Sequence, residues 1–97
     1  MQIRITRRAE AHIQKASAWW KENRPLAPTA LEEELTEAFS LLLSQPVIGA
    51  PALNARAKGV RRVHLARVHY HLYYRVGGGK IDVLALWHTS RGSAAPV

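Results

Sequence analysis

The feature that most constrains the fold is a pair of long segments joined by three consecutive glycines. In Val68–Val76, valine, leucine or tyrosine at every second position alternates with histidine, tyrosine and arginine. This period of two predicts a strand with one buried and one solvent-exposed face. Glycine adopts positive φ without steric cost, so Gly77–Gly79 predicts a hairpin turn. The returning segment, Lys80–His88, is apolar on both faces in its middle, which predicts a strand inside the sheet rather than at its edge.

Two further strands are predicted outside this hairpin. Val60–Leu65 also alternates and predicts a strand immediately before it. Gln2–Ile5 carries isoleucine at two alternate positions and predicts a short opening strand. Residues 45–59 contain two prolines and two glycines without a sustained period, which predicts an irregular connection.

Two amphipathic helices are predicted between the first strand and the others. The first begins after Thr6 as its N-cap, and the second begins at Thr29, which has the spacing of a capping box with Glu32. The apolar stripes are Ala9, Ile13, Ala16 and Trp20 in the first helix, and Leu31, Leu35, Ala38 and Leu42, widened by Phe39 and Leu43, in the second. The order βααβββ predicts one α+β domain over residues 1–97, with a helical hairpin on one face of a mostly antiparallel sheet.

The charge is concentrated in the second half of the chain. Residues 54–97 hold eight Lys or Arg and one acid, whereas residues 1–53 hold six of each sign, so the net charge of +7 belongs to the predicted sheet. Such a surface attracts polyanions, either nucleic acid or an acidic polypeptide. The chain has no cysteine, which excludes disulfides and thiolate metal sites. No apolar run approaches the roughly 20 residues that span a bilayer, so we expect a soluble cytoplasmic protein without a membrane partner.

Several strand side chains are candidates for binding or chemistry. His69 and His71 fall on the same face of one predicted strand, but no acidic residue accompanies them, so we expect neither a metal site nor a cofactor. Exposed histidines on a basic, partner-facing surface are the preferred interpretation. Tyr73 lies between His71 and Arg75 on the outward face, and is either a contact residue or one member of an ordinary cross-strand pair.

The apolar pattern also predicts where the tryptophans and Arg61 lie. Trp20 and Trp87 fall in apolar stripes and are expected in the core, whereas Trp19 lies beside its stripe and its role stays open. The parity of Arg61 directs it toward the apolar face, where a guanidinium must be paired. We expect it at the margin of the sheet, in an ion pair with acids of the second helix, and outside any chemistry.

Three segments of the sheet together resemble the RelE/ParE superfamily of bacterial toxins. They are Gly59–Leu65, His71–Val76 and Val83–His88, followed by Arg91. The resemblance covers nearly the whole chain and implies the toxin of a type II toxin–antitoxin module. It also implies a cognate antitoxin, usually short, with an acidic segment that folds as it wraps the toxin. The resulting complex is expected to be a hetero-oligomer.

The superfamily contains two mechanisms. A RelE-like toxin cleaves messenger RNA on the ribosome, with the ribose 2′-OH attacking the neighbouring phosphate, and the resemblance would then assign catalytic roles to Arg62, His64, His71 and Arg91. Histidine replaces another residue of the family pattern at two of these four positions, and residues 92–97 offer no proton donor. A ParE-like toxin poisons DNA gyrase without chemistry of its own, and the ending with His88 and Arg91 is typical of that branch.

We therefore favour the ParE-like branch, with a RelE-like endoribonuclease as the alternative and an inactive binding protein of the same fold as a second alternative. For the favoured branch, six residues are expected to contact the partner or nucleic acid. They are Arg62, His71, Tyr73, Arg75, His88 and Arg91.

Overall fold

The computed structural model describes residues 1–97 and has seven helices and strands. In chain order they are β1 (Gln2–Ile5), α1 (Arg7–Asn23), α2 (Ala30–Ser44), β2 (Ala50–Pro51), β3 (Val60–Leu65), β4 (Tyr70–Gly77) and β5 (Lys80–His88). The predicted α+β class and the helical hairpin are confirmed. The two-residue strand β2 is additional, and it lies within the segment predicted to be irregular. Neither helix is long and apolar enough to cross a membrane.

The five strands form one sheet in the order β1-β5-β4-β3-β2. β1 is parallel to β5, and the other neighbouring strands are antiparallel. The interior position predicted for β5 is correct only for its first half, because β1 pairs with Lys80 to Val83 and then ends. Farther along this edge, α1 lies beside β5 instead of a strand, and the backbone N–H of Leu86 donates to Nδ1 of His12 in α1 at 3.2 Å. A side chain thus satisfies a donor that no strand reaches.

The starts of the two helices differ from each other. Thr6 caps α1 as predicted, because its side chain accepts a hydrogen bond from the backbone N–H of Ala9. The capping box predicted for α2 is wrong. Thr29 has φ −103° and ψ 6°, which is not the extended conformation of an N-cap, and its hydroxyl donates to the Glu33 carboxylate at 3.0 Å instead.

The main core lies between the two helices and one face of the sheet. Three of the four predicted positions in α1 and all four in α2 are buried, and Ile13 packs against them half-buried. Leu43, expected to widen the second stripe, is 48 % exposed. Tyr74 is fully buried, and its hydroxyl accepts a hydrogen bond from the backbone N–H of Gly49 at 2.9 Å. This bond fastens the loop before β2 to the centre of the sheet.

A bulge in β5 changes which side chains face the helices. The register pairs Tyr73 with Ala85 but Tyr74 with Val83, so Leu84 has no partner in β4. Leu84 and Ala85 consequently both face away from the helices, where they join a second, smaller apolar cluster with Val60. This face, which we call the open face, therefore has an apolar centre as well as charged side chains.

Candidate functional site

Strands β3 and β4 place the predicted basic residues side by side on the open face. Arg62 is opposite Tyr73, and His64 is opposite His71, in the antiparallel register. The rings of His64 and His71 meet edge to face with centroids 5.2 Å apart. Because alternate residues of a strand point to the same side, Arg62 and His64 share this face, and Arg75 projects from it farther along β4.

The environment of His71 disfavours its protonated form. Partial burial is the main cause that lowers the pKa of His71, and the neighbouring Arg62 and His64 lower it further. Its imidazole is therefore neutral at pH 7 and can accept a proton or a hydrogen bond. No acidic side chain lines the shallow depression that these three residues share.

Five of the six predicted contact residues line a single groove with a volume of about 460 Å³. We call it the basic groove, and these residues are Arg62, His71, Tyr73, His88 and Arg91. The guanidinium of Arg91 lies 4.0 Å from the centroid of the Trp87 ring, a cation–π contact that fixes it at the wall of the groove. No aspartate or glutamate lines the groove, so its cations are available to an anionic partner.

Arg75 lies in a neighbouring groove that sequence reasoning missed. This groove also contains Arg7, Arg8 and Arg56, and no acid lines it. Two of these arginines begin α1, and the third lies in the loop before β3, so no strand alternation connects them to the predicted set. The only available signal was the pair of adjacent basic residues at the start of α1.

Residues 92–97, the C-terminal segment, border both grooves. The Nε1–H of Trp87 donates to the carbonyl of Ser93 at 3.0 Å, and the backbone N–H of Arg56 donates to the carbonyl of Val97 at 2.9 Å. The guanidinium of Arg8 donates to the carbonyl of Pro96. Ala95 and Val97 pack on the apolar centre of the open face. The segment contributes apolar side chains and backbone groups to the site.

This covering corrects the expectation for Tyr73. Its side chain faces the open side of the sheet, as its parity predicts, but it is only 8 % exposed and packs with Val60 and Ala85. Its ring also meets His71 edge to face. Tyr73 is therefore the floor of the basic groove rather than an exposed contact residue.

His69 and Arg61 also differ from their predicted environments. His69 lies in the turn between β3 and β4 with a positive φ of 62°, so it does not share a strand face with His71. Arg61 donates to the carbonyls of Val47 and Gly49 at 3.2 and 2.8 Å, and not to an acid of α2. The loop leading into β2 runs beside Arg61 and offers these carbonyls, so the predicted ion pair is wrong.

His88 is half-buried at the end of the basic groove. Its ring meets Tyr70 edge to face at 5.0 Å, and its Nδ1 accepts a hydrogen bond from the backbone N–H of Ser90. No three His, Asp or Glu side chains lie close enough together to bind a metal ion.

Comparison with known proteins identifies the family. A family model described as "ParE toxin of type II toxin-antitoxin system, parDE" matches residues 3–92. The chain therefore belongs to the ParE toxin family and is the toxin component of a type II toxin–antitoxin system. Membership of this family implies a cognate antitoxin as partner.

A solved structure has the same fold. The structure described as "Chromosomal ParDE TA system from P. aeruginosa" superposes with a TM-score of 0.75 at 22 % sequence identity. The match covers 93 % of this chain and 97 % of the other. A comparison with curated protein sequences gave no match.

Proposed function

We propose that this toxin inhibits DNA gyrase in the cytoplasm and catalyses no reaction itself. The observation that carries the proposal is the composition of the basic groove, which offers cations but no carboxylic acid and no exposed proton donor placed opposite His71. Cleavage of RNA by 2′-OH attack needs a base for the hydroxyl, cations for the phosphate and an acid for the leaving oxygen. His71 can act as the base, and Arg62 and Arg91 can bind phosphate. The acid would have to be His64, which does not line the groove, or Tyr73, which is only 8 % exposed at its floor.

The arrangement of His71, His88 and the C-terminal segment does not favour any of them as the acid. The lowered pKa of His71 suits it to accept a proton, not to donate one. His88 uses its Nδ1 to accept the N–H of Ser90 and lies at the end of the groove. The C-terminal segment supplies alanine and valine side chains and backbone carbonyls. A surface of this kind binds an anionic partner and does not transfer the second proton of a cleavage reaction.

Purified gyrase provides the test. Increasing amounts of toxin are expected to stop supercoiling of relaxed plasmid and to trap gyrase on cut DNA. Full supercoiling at a large excess of toxin would exclude gyrase as the target.

The endoribonuclease remains a second candidate because His71 and Arg62 together offer a base beside a phosphate-binding cation. Primer extension on translated messages would then detect cuts that disappear in His71→Ala and Arg91→Ala. Intact messages in cells that have stopped growing would remove this candidate. Cells that grow normally when the toxin is induced would instead identify an inactive protein of the same fold.

We further propose that the antitoxin neutralises the toxin by placing an acidic segment along the basic groove. Arg62 and Arg91 are exposed there without an acidic partner, so an anionic segment gains charge–charge contacts that the free toxin lacks. The affinity of the pair is expected to fall as salt rises. Arg67 offers a matched control, because it is exposed but already lies 3.5 Å from Glu33.

A further inference from the structure

A further pocket lies between α1 and the end of β5, and those of its residues that do not also line the basic groove play no part in the proposed function. Its volume is about 390 Å³, within the range of roughly 300 to 1,000 Å³ typical of small-molecule sites. We call it the α1 pocket. Buried Ala16 and Leu86 are among its lining residues, together with aromatic rings from both elements. The aromatic residues are Trp19, Tyr70 and Trp87.

Trp19 is the least expected of these residues. Its side chain is 46 % exposed, whereas its neighbour Trp20 is 8 % exposed and donates its Nε1–H to the carbonyl of Ala27. The guanidinium of Arg24 lies 5.1 Å from the centroid of the Trp19 ring and orders that ring from one side. A large apolar ring that is ordered and still exposed beside a pocket is available for stacking.

The pocket is strongly cationic. Lys15 and Arg91 line it and no acid does. Burial lowers the pKa of His12, which also lines the pocket, and the charges of Arg8, Arg91 and Lys15 lower it further. Several cations therefore act on the same ring without a compensating carboxylate, and an anion bound here would relieve their mutual repulsion.

The α1 pocket adjoins the basic groove. Trp87, His88 and Arg91 line both of them, so one extended ligand can contact the two sites at once. Single-strand binders combine a cationic track for the phosphates with aromatic side chains on which bases stack. The α1 pocket supplies the aromatic side chains, and the adjoining basic groove supplies the cationic track.

We propose that the α1 pocket binds an unstacked base of a single-stranded nucleic acid, with Trp19 as the stacking surface and the adjoining phosphates on Lys15 and Arg91. This goes beyond the proposed function, which names a protein target and assigns nothing to this pocket. A polyglutamate segment would meet the same cations but would offer no planar ring to stack on the exposed tryptophan.

The test is fluorescence anisotropy of a labelled short oligothymidylate titrated with the full chain. Trp19→Ala is expected to weaken binding about tenfold or more, and Trp19→Phe to restore part of the loss, because stacking depends on the ring. The matched control is Leu26→Ala, which removes a fully exposed apolar side chain outside the pocket and leaves binding unchanged.

Salt dependence tests the role of the charges. Lys15→Gln should reduce the slope of log affinity against log salt by about 0.7, the value for one phosphate contact on a single strand. Lys21→Gln, on the same helix, should leave the slope unchanged because Lys21 already lies 2.9 Å from Glu32. Both variants lose one positive charge, so a common change in slope would indicate net charge alone and would contradict the proposal.

Two results would overturn the assignment. The first is that Trp19→Ala binds the oligonucleotide as tightly as the wild type does. The second is that binding of a labelled polyglutamate depends on Trp19 to the same extent, which would assign the pocket to a protein partner. The assay contains no gyrase, so its failure leaves the supercoiling prediction intact, and a failed supercoiling assay leaves this one intact.

Discussion

Gly49 is the position at which one added methyl group should damage the fold most. A Cβ at Gly49 would lie 2.6 Å from the Tyr74 hydroxyl oxygen, 2.7 Å from Cε1 of the same ring and 2.9 Å from the carbonyl oxygen of Arg62. Tyr74 is fully buried in the core and cannot move aside, and the carbonyl is part of β3. The loop must therefore move away from the sheet in Gly49→Ala.

The magnitude follows from two losses. Moving the loop breaks the hydrogen bond between the Gly49 N–H and the Tyr74 hydroxyl. The buried hydroxyl then stays unpaired, which lowers the stability by about 1–3 kcal/mol. Overpacking adds about 1–3 kcal/mol. We therefore expect Gly49→Ala to lower the free energy of unfolding by about 2–6 kcal/mol. It should also weaken the hydrogen bond that the Gly49 carbonyl accepts from Arg61.

Urea unfolding at neutral pH measures this change, with Gly77→Ala as the control. A Cβ at Gly77 meets nothing within 4 Å and its φ is not positive, so that variant should stay within about 0.5 kcal/mol of the wild type. Tyr74→Phe separates the two losses, since it removes the hydroxyl and adds no bulk. Equal stability of Gly49→Ala and Gly77→Ala would refute the reasoning.

Three further predictions concern other parts of the molecule. Because the pKa of His12 is lowered in the folded protein, the unfolded chain takes up a proton first as pH falls below 6.5. The free energy of unfolding should therefore decrease with falling pH until the folded-state pKa is passed. Urea midpoints should show a smaller decrease in His12→Ala than in the wild type. Deleting Ser93–Val97 should uncover Tyr73 and Trp87, detected as a red shift of tryptophan emission; an unshifted spectrum would contradict the described position of the segment. Because His69 has a positive φ, the His69→Val variant should be less stable than the His69→Gly variant by about 1–2 kcal/mol in thermal unfolding. Equal stability of the two variants would count against that backbone conformation.

The sequence predicted the helices and strands best where many residues follow one periodic pattern. The stripe of α2 and the alternation of Val60–Leu65 each involve several side chains with one shared direction, so the sum of the signal outweighs any single residue. The local signals were less reliable. Thr29 and Glu32 have the correct spacing for a capping box, but the tight turn before α2 leaves Thr29 outside the extended region.

The composition of the site was predictable only in part. Strand parity placed Arg62 and His71 on one face, and the structure brings them to the same groove. The bulge at Leu84 and the covering of Tyr73 by the C-terminal segment depend on contacts between distant parts of the chain, which no local pattern encodes. The arginines at the start of α1 are gathered beside Arg75 for the same reason.

Supercoiling inhibition by a groove variant tests the central claim most directly. Arg62→Gln combined with Arg91→Gln removes two cations from the basic groove, and Arg67→Gln combined with Lys58→Gln removes two outside it. Urea unfolding verifies that both variants fold equally well. We predict that the first variant loses gyrase inhibition and that the second keeps it. Equal inhibition by the two variants would contradict a role for the cations of the basic groove in gyrase inhibition.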